Sequence, residues 1–336
     1  MSIATRVGRQ HWSGPRAVLA AGLACLVGLT GCGPAADSPV ESSAASAPAR
    51  RDVSLPDATA MGTTRLVVRD LAIVARYYTD AVGMERLGRS GGVLRLGYDG
   101  TPVLELVADP DASSRPADGA GLYHTAILFP DEQALADVLV RVATRAPHTF
   151  AGASDHRVSQ AFYFTDPEGN GVELYVDRPP DSWTWQGGEV QMGSAPLDVN
   201  GFISTYASDP GAAPAEALGS GGTVGHMHLS VGDLADAEDF YASLVGFDVV
   251  SRVDGALFMS AGGYHHHLAV NTWGSAGAGT RPSDEAGLGF LTVRLPEATA
   301  LGPIARRLEE GGVRHRSSAR ELRVEDPWGT VVVLRA

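Results

Sequence analysis

Cysteine is almost missing from this chain. Its 336 residues contain two, Cys25 and Cys32, both near the N-terminus. A disulfide framework is thereby excluded for everything that follows them. Positive charge is scarce as well: 26 Lys and Arg stand against 39 Asp and Glu, for a formal charge of −13. So acidic a balance argues against a nucleic-acid partner and against electrostatic docking to anionic lipid. Long apolar runs are also lacking. Ala17 to Gly28 is the one such stretch, and it is too short for a comfortable membrane span.

That stretch has another reading. Arg6, Arg9 and Arg16 precede it as a basic segment, and Leu29-Thr30-Gly31-Cys32 closes it. The arrangement resembles the signal peptide and lipobox of bacterial lipoproteins. The resemblance implies a signal peptide over 1–31, a lipidated Cys32 as mature N-terminus, and a protein exported and lipid-anchored to the bacterial cell envelope. Membrane contact would then come through the lipid alone. Losing the three arginines would move the formal charge from −13 to −16. Two alternatives stand beside this one: an uncleaved apolar anchor, and a chain that starts at Met61. Ala35 to Ala60 is rich in Ala, Ser and Pro, so 32–60 is expected to be a flexible tether.

What the rest contains is repetition. Hydrophobic residues make up 44% and charged residues 19%, a soluble globular profile, and 41 glycines imply the many tight turns of a strand-rich fold. From Met61 one unit opens with the strand Thr64 to Val68, then Asp70-Leu71 and an amphipathic helix through Tyr77-Tyr78 to Gly83. Asp70 suits the N-cap and Gly83 the C-terminal stop. Three short strands follow: 86–89, 93–97 and 103–107. The same grammar recurs from Leu122, from Met227 and from Phe290. Val68-Arg69-Asp70-Leu71 matches Val231-Gly232-Asp233-Leu234, and Asp166-Pro167-Glu168-Gly169 matches Asp326-Pro327-Trp328-Gly329. Such periodicity predicts an α+β fold of four βαβββ modules in two domains. Residues 61–180 hold modules one and two, 223–336 hold modules three and four, and 181–222, with Trp183 and Trp185, forms an interdomain crossover.

The repeat also sorts the histidines. Counting back seven residues from the acid that opens each helix gives Thr63, His124, His226 and Phe290. Four residues after the turn glycines of modules two and four stand Glu173 and Val333, and module one has Glu105 in its last strand. Candidate ligands therefore concentrate in modules two and three as His124, Glu173 and His226. Modules one and four offer Thr63, Glu105, Phe290 and Val333, which read as a dead site. Two neutral imidazoles and one carboxylate make a facial triad suited to Fe(II) and oxygen chemistry, with positions left open for substrate and O₂. Singly, each histidine would read as a satisfied core or surface residue. Their coincidence at matching repeat positions carries the metal reading.

These segments reach a known pattern. Gly121-Leu122-Tyr123-His124, Asp166 through Tyr175, Gly225-His226-Met227-His228 and Tyr264-His265-His266-His267 resemble the vicinal-oxygen-chelate superfamily (glyoxalase, bleomycin resistance, extradiol dioxygenase) over roughly 61–336. More closely they resemble two-domain bacterial catechol 2,3-dioxygenases. The resemblance implies two vicinal-oxygen-chelate domains and an extradiol ring-cleaving dioxygenase that acts on a small catechol-type aromatic with O₂. Fe(II) is the expected metal, with Mn(II) as substitute for an enzyme that acquires metal outside the cytoplasm. By the same resemblance His156 and Tyr163 hydrogen-bond the bound catecholate and oxygen, and His266 is the acid–base histidine, as an imidazole near neutral pKa can be. Ser154 departs from the family signature. So does the location, because the common layout puts the metal between modules three and four, where this chain has Phe290 and Val333. The site should instead span the two domains.

Three further histidines are candidates for the pocket or for alternative ligands. His228 shares a strand face with His226. In a strand His265 and His267 would share a face that His266 does not, leaving at least one solvent-facing or packed elsewhere. Two other functions compete: a metal-dependent glyoxalase-type isomerase or lyase, which usually needs a fourth protein ligand, and a non-catalytic small-molecule-binding protein, which needs none. Assembly as a homo-oligomer is left open.

Overall fold

The computed structural model describes residues 53–209 and 221–336. The signal segment, Cys32 and the tether up to residue 52 lie outside the described residues, as do 210–220 of the crossover.

Local chemistry sets the units. In the first, Thr64–Val68 alternates buried and half-buried residues, and Asp70 ends it by accepting the Ala72 and Ile73 N–H groups as N-cap of the helix Leu71–Arg76. The helix widens into a π-turn over Tyr77–Ala81 and stops at Gly83, whose φ of 87° favours glycine. The third unit repeats this with Thr223–Ser230, Asp233 as N-cap, Leu234–Glu238, a π-segment over Asp239–Val245 and Gly246 at φ 109°. Unit two pairs Gly121–Leu128 with the helix Glu132–Arg145, capped by Asp131. Unit four pairs Gly287–Arg294 with Leu301–Glu310, where Glu297 makes no side-chain cap bond.

The π-segments deliver a tyrosine to the neighbouring unit. Tyr78 donates its hydroxyl to Asp166 (3.3 Å) and Tyr241 donates to Asp326 (2.8 Å). The other oxygen of each aspartate accepts two backbone N–H groups of its own turn, from Glu168 and Asn170 or from Trp328 and Thr330. The recurring Asp-Pro-x-Gly motif is therefore a structural rivet, joining unit one to two and unit three to four.

The sheets join the units differently. One nine-stranded sheet contains units one and four, the other units two and three. At the centre of each, the first strands of two units run antiparallel: Thr64–Val68 against Gly287–Arg294, and Gly121–Leu128 against Thr223–Ser230. Each first strand has the last strand of its own unit alongside in parallel, as a helical crossover permits. Modules two and three thus share one continuous sheet, although 181–222 separates them in sequence.

One boundary differs from the sequence expectation. The tether does not run to residue 60: Leu55 is buried and donates its N–H to Gly246, Thr59 is buried, and Ala60–Met61 pairs with Arg294 and Val293. Burial of apolar Leu55 and backbone pairing with the end of Gly287–Arg294, beyond its stretch against Thr64–Val68, supply the reason. The crossover, for its part, is packed. Trp183 and Val190 are buried with Val158 and Val250, and the helix Val199–Tyr206 sets Phe202 against Phe162, ring centroids 5.0 Å apart.

Candidate metal centre

Strand register brings three side chains together. In the central pair His228 lies opposite His124, and His226 lies opposite Ala126. On the other flank Glu173 is beside Ala126. A bulge at Gly225 interrupts the pairing, where a Cβ would collide with the Tyr175 hydroxyl. His124, Glu173 and His226 are all buried, and their ligand atoms lie within 4.8 Å of one another. One carboxylate oxygen, Glu173 Oε2, is 2.9 Å from His124 Nε2 and 3.2 Å from His226 Nε2.

This cluster fits a divalent metal. His226 Nε2 donates to the carboxylate, but His124 Nε2 is buried and makes no hydrogen bond despite its proximity. Converging ligand atoms that only partly satisfy each other are what a ligand set looks like, and two imidazoles with a carboxylate suit a transition metal. Burial, the largest influence, holds His226 below the ordinary imidazole value, with Glu173 opposing it. For Glu173 burial alone would raise the pKa. The two imidazoles facing the same oxygen outweigh it and keep the carboxyl well below its usual range. A neutral imidazole and an ionised carboxylate are the forms that coordinate.

Beside the triad stands a second group. Tyr163 is directly across from Glu173, and its ring is 5.6 Å from that of His124. Its oxygen is 2.7 Å from His156 Nε2, while His156 Nδ1 is 2.6 Å from the Gly193 carbonyl oxygen. A carbonyl only accepts, so Nδ1 carries the proton, Nε2 accepts, and the tyrosine donates. Burial and then Glu173 push the Tyr163 phenol well above its ordinary value, which keeps that proton in place.

The three consecutive histidines are not in a strand. They precede the strand Leu268–Asn271, after a turn at Gly262 and Gly263 with φ of 64° and 73°. All three are buried, so none is solvent-facing and the one that parts from the others is packed elsewhere. His265 Nε2 is 2.8 Å from Asp177 Oδ1, and its Nδ1 is 2.8 Å from His266 Nδ1. The carboxylate requires Nε2–H on His265, so in the neutral pair His265 Nδ1 accepts from His266 Nδ1–H and leaves His266 Nε2 bare. Burial holds His266 well below its ordinary value, and its ring centroid is 4.0 Å from that of His226. His267 turns elsewhere: its Nδ1 accepts the Ala261 N–H and faces the Ser260 hydroxyl. It is not placed to serve as a ligand.

His228 lines the same wall, its ring 4.9 Å from His124. Its Nε2, however, accepts from Asn271 Nδ2 at 2.9 Å. The orientation of that amide is fixed because Asn271 Oδ1 accepts the Trp273 N–H. The nitrogen on that side of His228 is therefore engaged.

Several partners were not singled out from sequence. Asp177 and Tyr175 had a legible signal: with Glu173 they form an i, i+2, i+4 series on one strand face. Tyr175 is 2.9 Å from the Tyr264 hydroxyl, and Tyr264 donates to Asp177 Oδ2. Gly193 and Trp273 come from connecting segments and Asn271 ends the strand Leu268–Asn271; none carried a signal. In the other sheet Phe290 and Val333 are buried apolar residues, as the repeat predicted.

Known proteins are similar to this chain. The family model for the Glyoxalase/Bleomycin resistance protein/Dioxygenase superfamily matches residues 60–174 and 223–334. A catechol-2,3-dioxygenase of Bacillus subtilis (strain 168) is 35% identical over 280 residues, covering 82% of this chain and 96% of that protein. The crystal structure of the cppA protein of Streptococcus pneumoniae TIGR4 superposes with a TM-score of 0.51 at 12% identity, covering 81% of this chain and 97% of the other. That of a mutant of glyoxalase I from Zea mays gives a TM-score of 0.51 at 16% identity, covering 82% and 93%. The last two are likenesses of fold. With both halves matched by one family model, and a relative at 35% identity over most of its length, the chain belongs to the Glyoxalase/Bleomycin resistance protein/Dioxygenase superfamily.

Proposed function

We propose that the protein is an extradiol ring-cleaving dioxygenase that uses O₂ on a small catechol-type aromatic. The observation that carries this reading is the buried convergence of His124, Glu173 and His226, with the Tyr163–His156 pair and His266 beside it. These three residues would hold one Fe(II), or Mn(II) in its place, and a relative at 35% identity is named for catechol 2,3-cleavage. Bound there, the metal would acidify the catechol and hold it next to O₂.

The chain's own groups then manage protons and position. His266 Nε2, bare in the neutral pair with His265, takes the catechol proton and can return it later in the reaction. Asp177 fixes His265, and His265 fixes the tautomer of His266. Tyr163 keeps its proton and offers a hydroxyl oxygen toward the centre, oriented by His156 and, behind it, by the Gly193 carbonyl. The barrier to water is the aromatic surround of buried Tyr175 and Trp183 with partly buried Phe258. The lipobox-like N-terminus extends the proposal to an enzyme anchored at the cell envelope by lipid on Cys32.

Anaerobic purification, metal analysis and oxygen uptake with catechol test the reading. The wild type should bind one Fe or Mn and consume O₂, while His124→Ala, Glu173→Ala and His226→Ala should lose the metal. Full metal occupancy in all three variants would overturn the ligand assignment. Bound metal with no oxygen uptake on any catechol would favour a glyoxalase-type isomerase.

A further inference from the structure

The two large sheets are built alike, so each position of the metal-centre sheet has a counterpart in the other. Arg65 faces Phe290 across the central strands as His228 faces His124. Phe290 therefore occupies the place of His124, and Thr63 that of His226. Arg323 is opposite Val333 as Tyr163 is opposite Glu173, and Arg335 follows Val333 by two residues as Tyr175 follows Glu173. Arg95 reaches the group through Glu105, its cross-strand partner. Where one sheet has metal ligands and aromatic rings, the other has arginines.

These arginines converge. The guanidinium carbons of Arg65, Arg323 and Arg335 lie 4.5, 5.7 and 5.9 Å from the centroid of the Phe290 ring. Stacking on the ring engages a guanidinium face and not its N–H edge, so each guanidinium keeps donors beyond those already bonded to a carboxylate. Glu105 accepts from Arg65 Nε (3.0 Å) and Arg95 Nε (3.1 Å), and Glu321 pairs with Arg335 at 2.7 Å. Among the described residues no carboxylate pairs with Arg323. Register adds Arg294 beside Arg335 and Arg316 opposite Arg323, with Glu325 opposite Val331 as a further acid. Six arginines against three glutamates leave an excess of three positive charges on one sheet face, in a chain whose formal charge is −13. The side chains of Arg65, Arg95 and Arg335 are 31%, 40% and 47% exposed, so the face is open to a ligand.

We propose that this face is an anion-binding site, taking a carboxylate or phosphoryl oxyanion of a small molecule between Arg323, Arg65 and Arg335. Like charges gathered this closely repel one another, and an oxyanion bridging two guanidinium forks relieves the repulsion while making paired, charge-assisted hydrogen bonds. The site is independent of the metal reading, since it shares no residue with His124, Glu173 or His226.

Titration calorimetry on the full chain at low ionic strength, with succinate and with inorganic phosphate as probes, tests it. At least one probe should bind, and the affinity should fall with added salt. Arg323→Gln should weaken binding about tenfold or more, while His124→Ala should leave it unchanged. Arg323 is the residue of choice because no carboxylate loses a partner with it. Should that variant fail to fold, Arg335→Gln carries the same expectation. Binding of succinate alone identifies a carboxylate site, and of phosphate alone a phosphoryl site. Binding of neither probe, equal binding by Arg323→Gln, or loss of binding in His124→Ala would overturn the proposal.

Discussion

Acid should destabilise this protein through His267, and the surroundings of that residue set the size of the effect. The ring is 7% exposed. Its Nδ1 accepts the Ala261 N–H at 3.3 Å and lies 3.1 Å from the Ser260 hydroxyl. Because a backbone N–H can only donate, Nδ1 carries no proton and the ring is neutral. Burial, reinforced by His265 and His226, pushes its pKa down to about 3. The same imidazole in the unfolded chain titrates near ~6.5. The folded value lies below the unfolded one, so the contribution to stability is complete above about pH 6.5 and is lost as pH falls toward 3. Between pH 7 and pH 5 the unfolded chain takes up nearly one proton that the folded chain refuses, a loss of about 2 kcal/mol. His267→Asn keeps an acceptor at the position of Nδ1 and removes the titration. Urea unfolding of both proteins at pH 7, 6 and 5, with chelator present to remove any metal linkage, measures the difference. The wild type should lose about 2 kcal/mol more than the variant over that range. Parallel losses in the two proteins would mean that His267 titrates alike folded and unfolded, and would refute the reasoning.

Three other perturbations probe the centre and its supports. Tyr163→Phe removes the hydroxyl that donates to His156. Ring cleavage should slow by about 100-fold or more with metal content unchanged, and a parallel loss of metal would instead mark Tyr163 as structural. Asp177→Ala strands the N–H of fully buried His265 and the hydroxyl of Tyr264. Denaturant unfolding should show a loss of about 2–4 kcal/mol, and a loss below about 1 kcal/mol would mean that water replaces the carboxylate. Gly225→Ala drives a methyl into the Tyr175 hydroxyl. A cost of about 1–3 kcal/mol is expected from the shift in melting temperature, and an unchanged melting temperature would show that the bulge relaxes freely.

Much of the architecture was legible because it is repeated. Asp70, Asp131 and Asp233 cap their helices as expected, since a short carboxylate before an amphipathic run has few better uses. Counting positions from those caps led to His124 and His226, and counting from the turn glycine led to Glu173. The count works because strand and cap keep a constant offset in every unit. Strand alternation could not order the three histidines after Gly263, because a loop replaces the strand there. The count also missed the residues before Met61, because a buried Leu55 in an otherwise bland segment has no periodic neighbours to announce it.

Sequence alone was sufficient for the four units, the helix caps, the excluded disulfides and the candidate ligand trio. These depend on spacing along one strand or one helix, where backbone geometry dictates which side chains share a face. Tertiary structure alone decided which nitrogen of each histidine is engaged, how Asp177 reaches His266 through His265, and that the counterpart of the candidate metal centre is a field of arginines around Phe290. Those relations join residues far apart in the chain. No local rule carries them, and only the packing of one sheet from two distant units puts the atoms within reach.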